Sequence, residues 1–527
     1  MSSFATKIAD KYNKTSAGKI LLAIFFIGLF IRIIFLDLKL LHHDEAIHAW
    51  FSYELLTTGA YVYDPMYHGP LLYYLMSTVF SLFGDSDIIV RLVPACAGSL
   101  IIPAVYAIYK LSYLSKNQAV LAALFIALSP DMVYFSRFLR HDIFQLLFTL
   151  LVLVCILAYI ERKKWYFGLL AGISGALALC LKEEVPVALF IFISFFLILW
   201  LFKKIELPEK WPRDSVIAVF AALGIGYVFF SSFFAHPEIF FGAAQMALDH
   251  WLAMHGECRL CGPPYWYILL FILYELPILL VGIVSALIWL FRKEGLLRIV
   301  RDLTQCINDI VDRYPFRFPD KPLDKQELFF ILCLYWTVGT MALYGYVGEK
   351  VPWLIIHQLL PLIFVATYAL QDLTKKKIII TIICIAWLVI LTIHVTFIPV
   401  ADINEPIVQV QNSEEFRDVM SLIDAADFVA VASSSYWPLP WYYRGERWNK
   451  ISFYGDSIPE HQIYSTDPDV VIAHDAKSYP WLEGYDKKTY RLSYWFSWYE
   501  NKNRVLEWFF LRNGPMGSVN LDVFTKS

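Results

Sequence analysis

The stretch AGKILLAIFFIGLFIRIIFLDLKLLHHDE, residues 17–45, decides the class of the fold. Its first part, 17–36, is an apolar run broken only by isolated Lys19 and Arg32, and crossing a bilayer as a helix takes roughly 20 mostly apolar residues. No small-residue cleavage site follows, so the run reads as a retained membrane helix and not as a removed signal peptide. Its second part ends on His42, His43, Asp44 and Glu45, ionisable groups at the edge of a membrane, where charge is expensive.

Runs of the same kind recur at approximately 88–109, 117–130, 142–160, 165–181, 185–202, 214–232, 264–291, 328–346, 353–371 and 378–397. With the first they predict a mainly α, polytopic membrane protein, a helical bundle of about eleven spans. The aromatic segment 70–83 is short for a span and reads as a helix lying in the interface. Composition agrees: 58% of the 527 residues are hydrophobic and 17% charged, against about 45–50% and about 25% in soluble domains. The surplus must face lipid. A net charge of −3, with no basic stripe and no zinc-finger spacing, excludes nucleic acid as a partner.

Basic residues set the orientation, because positive loops stay cytoplasmic. Lys7, Lys11, Lys14, the ERKK run at 161–164, Lys203, Lys204, the stretch 292–325 and Lys375 to Lys377 fall on one side if the N-terminus is cytoplasmic. The predicted localisation is therefore the cell membrane, multi-pass, with residues 1–397 forming the membrane domain and 398–527 an extracytoplasmic α/β domain. In that tail PIVQV (406–410), DFVAVA (427–432), DVVIAH (469–474) and SVNLDVF (518–524) predict strands, and Ser413 to Asp424 an amphipathic helix. No G-x-G-x-x-G follows a strand, so a nucleotide site has no support.

Charge crowds into the connections placed outside. An acidic pair beside two imidazoles, His42 to Glu45, can bind a divalent cation or hold a base ionised. The same spacing also lets Asp44 cap a helix from Ala46 to Leu56. In FSRFLRHDIFQLLF (135–148), helical spacing of three puts Arg137 and Arg140 on one face, suited to hold a phosphate. Asp142 has no lipid-anchoring reason to open a span. Lys182, Glu183 and Glu184, then Glu349 and Lys350, then Arg91, end further connections, as a polar cavity roofed by helices would require. Glu275, eleven residues past Pro264, lies near mid-membrane at about 1.5 Å per residue. It reads either as a protonated donor at a Pro277 kink or as part of a lipid or ion path. In DHWLAMHGECRLC (249–261), His250, His255, Cys258 and Cys261 fit a metal site, a Cys258–Cys261 disulfide or separate thiols.

At these residues the chain resembles the GT-C group of membrane glycosyltransferases, in its dolichyl-phosphate-mannose:protein mannosyltransferase-like branch. The resemblance rests on Asp44 and Glu45, on HGPLLYYLMSTVFSLFGDSDIIVRLVPACAGSLIIPAVY (68–106), on RFLRHD (137–142) and on LCLKEEVP (179–186). HGPLLYYL, GEKVPWLIIHQLLPL (348–362) and SYWPLPWYYRG (435–445) are similar, more narrowly, to archaeal proteins of the flippase-activity-associated family of N-glycosylation. The resemblance implies an inverting transferase using a polyprenyl (dolichyl)-phosphate-linked sugar on the outer face, with a protein or glycolipid acceptor and membrane lipid around it. It implies catalytic roles for Asp44, Glu45 and Asp142, donor-phosphate contacts from Arg137, Arg140, Lys182, Lys350 and Arg91, and a pocket completed by His43, His68, Glu183 and Glu349. A divalent metal ion would sit at Asp44 and Asp142. No WWDYG run is present, a departure from oligosaccharyltransferases that counts against transfer of a whole glycan to asparagine.

The competing reading is a non-catalytic protein assisting translocation of dolichyl-phosphate-linked sugars, which needs the phosphate-binding charges but no base. A solute transporter fits less well, since the spans show no internal repeat.

Overall fold

The computed structural model describes residues 12, 15–202, 204–256, 262–292, 324–398 and 404–526. The fold is mainly helical, with a mixed sheet in the C-terminal part. Each predicted span falls on a helix, but not each as one straight crossing. Asp87–Lys110, His141–Arg162, Trp211–Phe230, Lys325–Tyr346, Pro352–Leu370 and Lys375–Phe397 are long and apolar enough to cross a membrane unbroken. Lys116–Leu128 with Pro130–Ser136 bends by 58°, and Trp266–Tyr274 with Leu276–Phe291 by 110°. Ala17–Ile33, Trp165–Leu179 and Val185–Leu201 run for 17, 15 and 17 residues, short of a ~30 Å core at about 1.5 Å per residue. By length and composition the described residues hold 6 spans, or up to 8 with the bent pairs, fewer than the eleven expected.

The breaks have local causes that a hydropathy count does not see. Ser129 ends one helix and caps the next through its side chain, with Pro130 opening the new turn. The other break falls at Glu275 itself, two residues before Pro277. The two breaks meet: one Glu275 oxygen accepts from the Ser129 hydroxyl at 2.5 Å and from the Asp131 amide at 3.1 Å. Pro352–Leu370 is almost wholly buried at the centre of the bundle. Trp211–Phe230 is its opposite, with Phe220 71% exposed, as a lipid-facing helix would be.

Among the described C-terminal residues the sheet has order β1-β5-β6-β4-β2-β3: β1 (Gln411–Asn412), β2 (Val429–Ala432), β3 (Ile451–Phe453), β4 (Val470–His474), β5 (Tyr485–Phe496) and β6 (Met516–Lys526). β2 lies parallel to β3 and β4, and the β4–β6, β5–β6 and β1–β5 pairs are antiparallel. Alternation along β2 sends Val429 and Val431 toward the Phe416–Ala425 helix, and Ala430 and Ala432 to the other face with Ile458 and Ile463. Strands predicted at 427–432, 469–474 and 518–524 are present. PIVQV at 406–410 is not a strand: its backbone turns, Ile407 N donates to Tyr274 at 3.3 Å, and Val410 is left-handed with φ 52°.

The sheet grips the segment that precedes Asp44. Leu40 N donates to Glu414 at 2.8 Å, Leu41 N to the Tyr442 hydroxyl at 2.9 Å, and Asn412 Nδ2 to Leu41 O at 2.7 Å. Farther along, Trp441 Nε1 and the Tyr442 hydroxyl both donate to Asp87, at 2.7 and 2.9 Å.

Candidate functional site

The first connection folds into the helix His43–Thr58, and His42 caps it, not Asp44. Asp44 N donates to His42 Nδ1 at 3.1 Å, and His42 N donates to Glu45 Oε2 at 2.9 Å, a reciprocal capping box. Relieved of capping, the Asp44 side chain projects into a cavity of about 620 Å3. Glu45 turns the other way and is buried. Arg91 donates to it from Nε at 3.1 Å and from Nη2 at 2.8 Å, and Leu139 N adds a further bond at 3.1 Å.

Arg140 joins the two acidic motifs. It pairs through Nη1 with Asp44 and donates from Nε to Asp142 Oδ2 at 3.3 Å. Its guanidinium lies 3.7 Å from the centre of the Trp353 ring, which fixes its plane. Lys182 Nζ donates to Asp142 Oδ1 at 2.8 Å and pairs with Glu184 at 3.2 Å. Asp44, Arg140 and Lys182 all line the cavity, with His43, His48, His68, His250 and Glu349 and with the apolar side chains Ile47, Met66 and Met254. Glu183 stands just behind, receiving Tyr63 at 3.0 Å and meeting His68 Nδ1 at 3.1 Å.

The loop that carries His68 is shaped by close approach. Gly69 N donates to Leu181 O at 2.9 Å, and a Cβ on Gly69 would sit 2.3 Å from the Cys180 carbonyl oxygen, so only glycine lets these connections touch. His68 before it takes a positive φ of 65° with ψ −166°, and Pro70 begins the helix Leu71–Phe83, where the interfacial segment was expected.

Charge follows from this packing. Burial alone would raise the Asp44 carboxyl, but Arg140 and the neighbouring imidazoles hold it well below the usual carboxylate range. For Lys182, burial would favour the neutral amine, yet Asp142 and Glu184 keep it an ammonium, with its pKa raised. His48 is pushed down to about 3 by burial and by Arg140, so its imidazole is neutral.

Three predicted phosphate ligands are committed elsewhere. Arg91 is spent on Glu45 and on the carbonyls of Leu36, Lys39 and Leu40. Arg137 does not share a face with Arg140, because the helix ends at Ser136 and the next begins at His141. Its guanidinium donates to Arg32 O at 2.9 Å, Ile34 O at 2.6 Å and Phe35 O at 2.7 Å, the open end of Ala17–Ile33. Lys350 likewise donates to Tyr344 O at 3.0 Å and Gly345 O at 2.9 Å at the end of Lys325–Tyr346.

The metal expectation fits poorly. Arg140 stands between Asp44 and Asp142, and no group of three or more His, Cys, Asp or Glu able to hold a metal occurs among the described residues. Cys258, Cys261 and the His255 side chain lie outside the described residues. The sequence reading gave no role to His141, which stands in its second charged motif, and did not single out His48, His357 or Trp353. His141 packs edge-on to His48 (4.9 Å) and His68 (5.3 Å), and its Nδ1 has no partner among the described residues. His357 Nε2 lies 3.8 Å from Asp142. The signal for His141 was its place inside RFLRHD.

Residues 67–232 match the family model described as dolichyl-phosphate-mannose-protein mannosyltransferase. That stretch contains Arg140, Asp142 and Lys182 and begins after Asp44. An uncharacterized protein of Aquifex aeolicus is 24% identical over 204 residues, 37% of this chain and 40% of that protein, so the alignment spans less than half of the relative. Among solved structures, the oligosaccharyltransferase AglB of Archaeoglobus fulgidus, in complex with an inhibitory peptide and a dolichol-phosphate, superposes with a TM-score of 0.51 at 13% identity, covering 88% of this chain and 70% of that one. An Archaeoglobus fulgidus oligosaccharyltransferase in complex with Zn and sulfate gives 0.50 at 13% identity, covering 86% and 68%. At such identity the likeness is one of fold, that of the GT-C enzymes.

Proposed function

We propose that this protein is an inverting membrane glycosyltransferase that moves a sugar from a polyprenyl-phosphate donor to a hydroxyl acceptor on the outer face of the membrane. The observation that carries the reading is the Asp44 carboxylate at a cavity wall beside two cations, Arg140 and Lys182, that are held in place by Asp142. The family description matched by 67–232 and the dolichol-phosphate recorded with the Archaeoglobus protein support the donor class.

The chemistry requires what the cavity supplies. An acceptor hydroxyl gives its proton to Asp44 as its oxygen bonds the anomeric carbon from the face opposite the phosphate. The bond from that carbon to the phosphate oxygen breaks, and the polyprenyl phosphate leaves with the electron pair. Arg140 and Lys182 offset the charge that grows on the departing oxygens. Asp142 is a positioning residue in this scheme, since it touches Arg140 and Lys182. No step is routed through a metal.

A second reading, carriage of the lipid-linked sugar without chemistry, is favoured by one feature. The Arg140 pair that keeps Asp44 ionised also makes it a weaker base. Incubating the purified protein with polyprenyl-phosphate hexoses and soluble hydroxyl acceptors separates the two: release of polyprenyl phosphate coupled to a new glycoside supports the transferase, and donor binding with no turnover in any pairing overturns it.

A further inference from the structure

A second cavity, of about 610 Å3, opens between the His43–Thr58 helix and the loops that lead into and out of the 3-10 turn Gly445–Lys450. That volume lies within the ~300–1,000 Å3 of small-ligand sites. It is lined mainly by aromatic rings, among them Trp50, Tyr436, Trp437 and Trp448, with one carboxylate, Glu54. Tyr67 and Trp437 line both this groove and the charged cavity that holds Asp44, so the two adjoin at these side chains.

The rings are fixed before anything binds. Trp437 stacks on Tyr436 with centroids 5.8 Å apart and planes at 23°, and Trp50 meets Trp437 edge-on at 5.8 Å. Arg444, also in the wall, is held by Asp85 through Nε at 2.5 Å and lies 3.8 Å from the Trp441 ring, so its charge is already met. No hydrogen bond from the indole N–H groups of Trp50, Trp437 and Trp448, or to the Glu54 carboxylate, occurs among the described residues. The groove thus offers flat π faces, unspent N–H donors and one anionic acceptor.

A pyranose matches that set. Its C–H face suits the negative face of an aromatic ring, and its hydroxyls can donate to Glu54 and accept from indole N–H. A phosphate does not match, because Glu54 would repel it and the one arginine is paired. We propose that this groove binds the acceptor, and that the acceptor is a neutral saccharide chain whose terminal hydroxyl reaches Asp44 past Tyr67 and Trp437. The assignment of the groove as an acceptor site rests on the transferase reading; its saccharide chemistry rests on the lining alone.

The test uses the full-length protein in detergent, with mannotetraose, cellotetraose and maltotetraose as probes, a Ser/Thr-rich peptide as the competing occupant, and dolichyl phosphate binding as the check that each variant is folded. At least one tetraose should bind saturably, in roughly the millimolar range or tighter. Trp50→Ala and Trp448→Ala should each weaken it about tenfold, Trp50→Phe much less, and dolichyl phosphate binding should not change. No saturable tetraose binding overturns the proposal, as does peptide binding that Trp50→Ala abolishes. If the tetraose binds as described but no sugar leaves a polyprenyl-phosphate donor, the groove stands and the transferase reading falls. Transfer that proceeds undiminished in Trp50→Ala and Trp448→Ala leaves the reading intact and removes the groove.

Discussion

The Glu45 carboxylate meets the Arg91 guanidinium in two parallel hydrogen bonds of 3.1 and 2.8 Å, both side chains buried, while Asp44 beside it faces the cavity. Removing one partner of such a pair leaves the other charged and dry, at a cost of about 3–5 kcal/mol. Glu45→Gln and Arg91→Ala should therefore lower the thermal unfolding midpoint and the yield of folded protein, and Asp44→Asn should lower them less, because Arg140 keeps Asp142 as a partner. Equal loss of stability in all three would remove the distinction between the two carboxylates.

Asp44→Asn keeps the size and removes the proton acceptor, so turnover should drop by about a hundredfold or more while donor binding survives. Arg140→Ala should weaken donor binding by roughly 1.5–3 kcal/mol, the worth of a hydrogen bond to a charged group. Arg137→Ala and Lys350→Ala, whose donors go to backbone carbonyls, should reduce stability and leave donor affinity unchanged. Full glycosylation in cells by Asp44→Asn, with none by Arg140→Ala, would leave carriage as the function.

The pH dependence has a definite sign. Asp44 and Glu45 are both held below their ordinary values: burial would raise them, and Arg140 and Arg91 more than offset it. A lowered carboxyl stabilises the fold above the unfolded value of about 4 and loses that contribution as pH falls through the folded value. His42, pushed down to about 4, and His48, to about 3, are buried in their neutral form and add to the acid sensitivity. Unfolding midpoints followed from pH 8 to pH 3 should begin to fall near the unfolded histidine value of about 6.5, as the unfolded chain takes up protons that buried His42 and His48 do not, and fall further below about pH 5 as the carboxylates of the unfolded chain protonate. A step near pH 6.5 that Asp44→Asn abolishes would contradict the ion pairing.

Chelation is expected to do little. Arg140 already bridges Asp44 and Asp142, so EDTA should change transfer by less than about twofold. A tenfold loss restored by a divalent cation would place a metal in the reaction.

Orientation is checked by tags. The lysine and arginine bias predicts that a tag after Ser527 is reached from outside and one within 293–323 only from inside. Labelling of both from one side would put the proposed site on the wrong face.

What the sequence disclosed divides along physical lines. Hydrophobic runs locate helices, because burial in lipid needs only composition over about 20 residues. They do not locate breaks, which depend on one cap or one carboxylate, as at Ser129 and Glu275. The DE pair was visible, but adjacent helical residues point about 100° apart, and only the tertiary neighbours decide that Asp44 faces the cavity and Glu45 faces Arg91. The equivalence of Arg137 and Arg140 assumed an unbroken helix across 137–140, which is where the chain leaves it. β3 and β5 were missed for a related reason: β3 is three residues long, and Tyr485–Phe496 opens on a charged, exposed half that hides its alternation.

The bonds from the C-terminal sheet to Leu40, Leu41 and Asp87 bear on how such proteins can be recombined. A chimera that exchanges 404–526 alone would set a foreign Glu414, Asn412, Trp441 and Tyr442 against native carbonyls, amides and a carboxylate that they were not matched to. The segments 36–45 and 85–91 belong to the same unit of inheritance as the sheet, although more than three hundred residues separate them in the chain. Exchange of acceptor preference between relatives should succeed only when all three segments travel together.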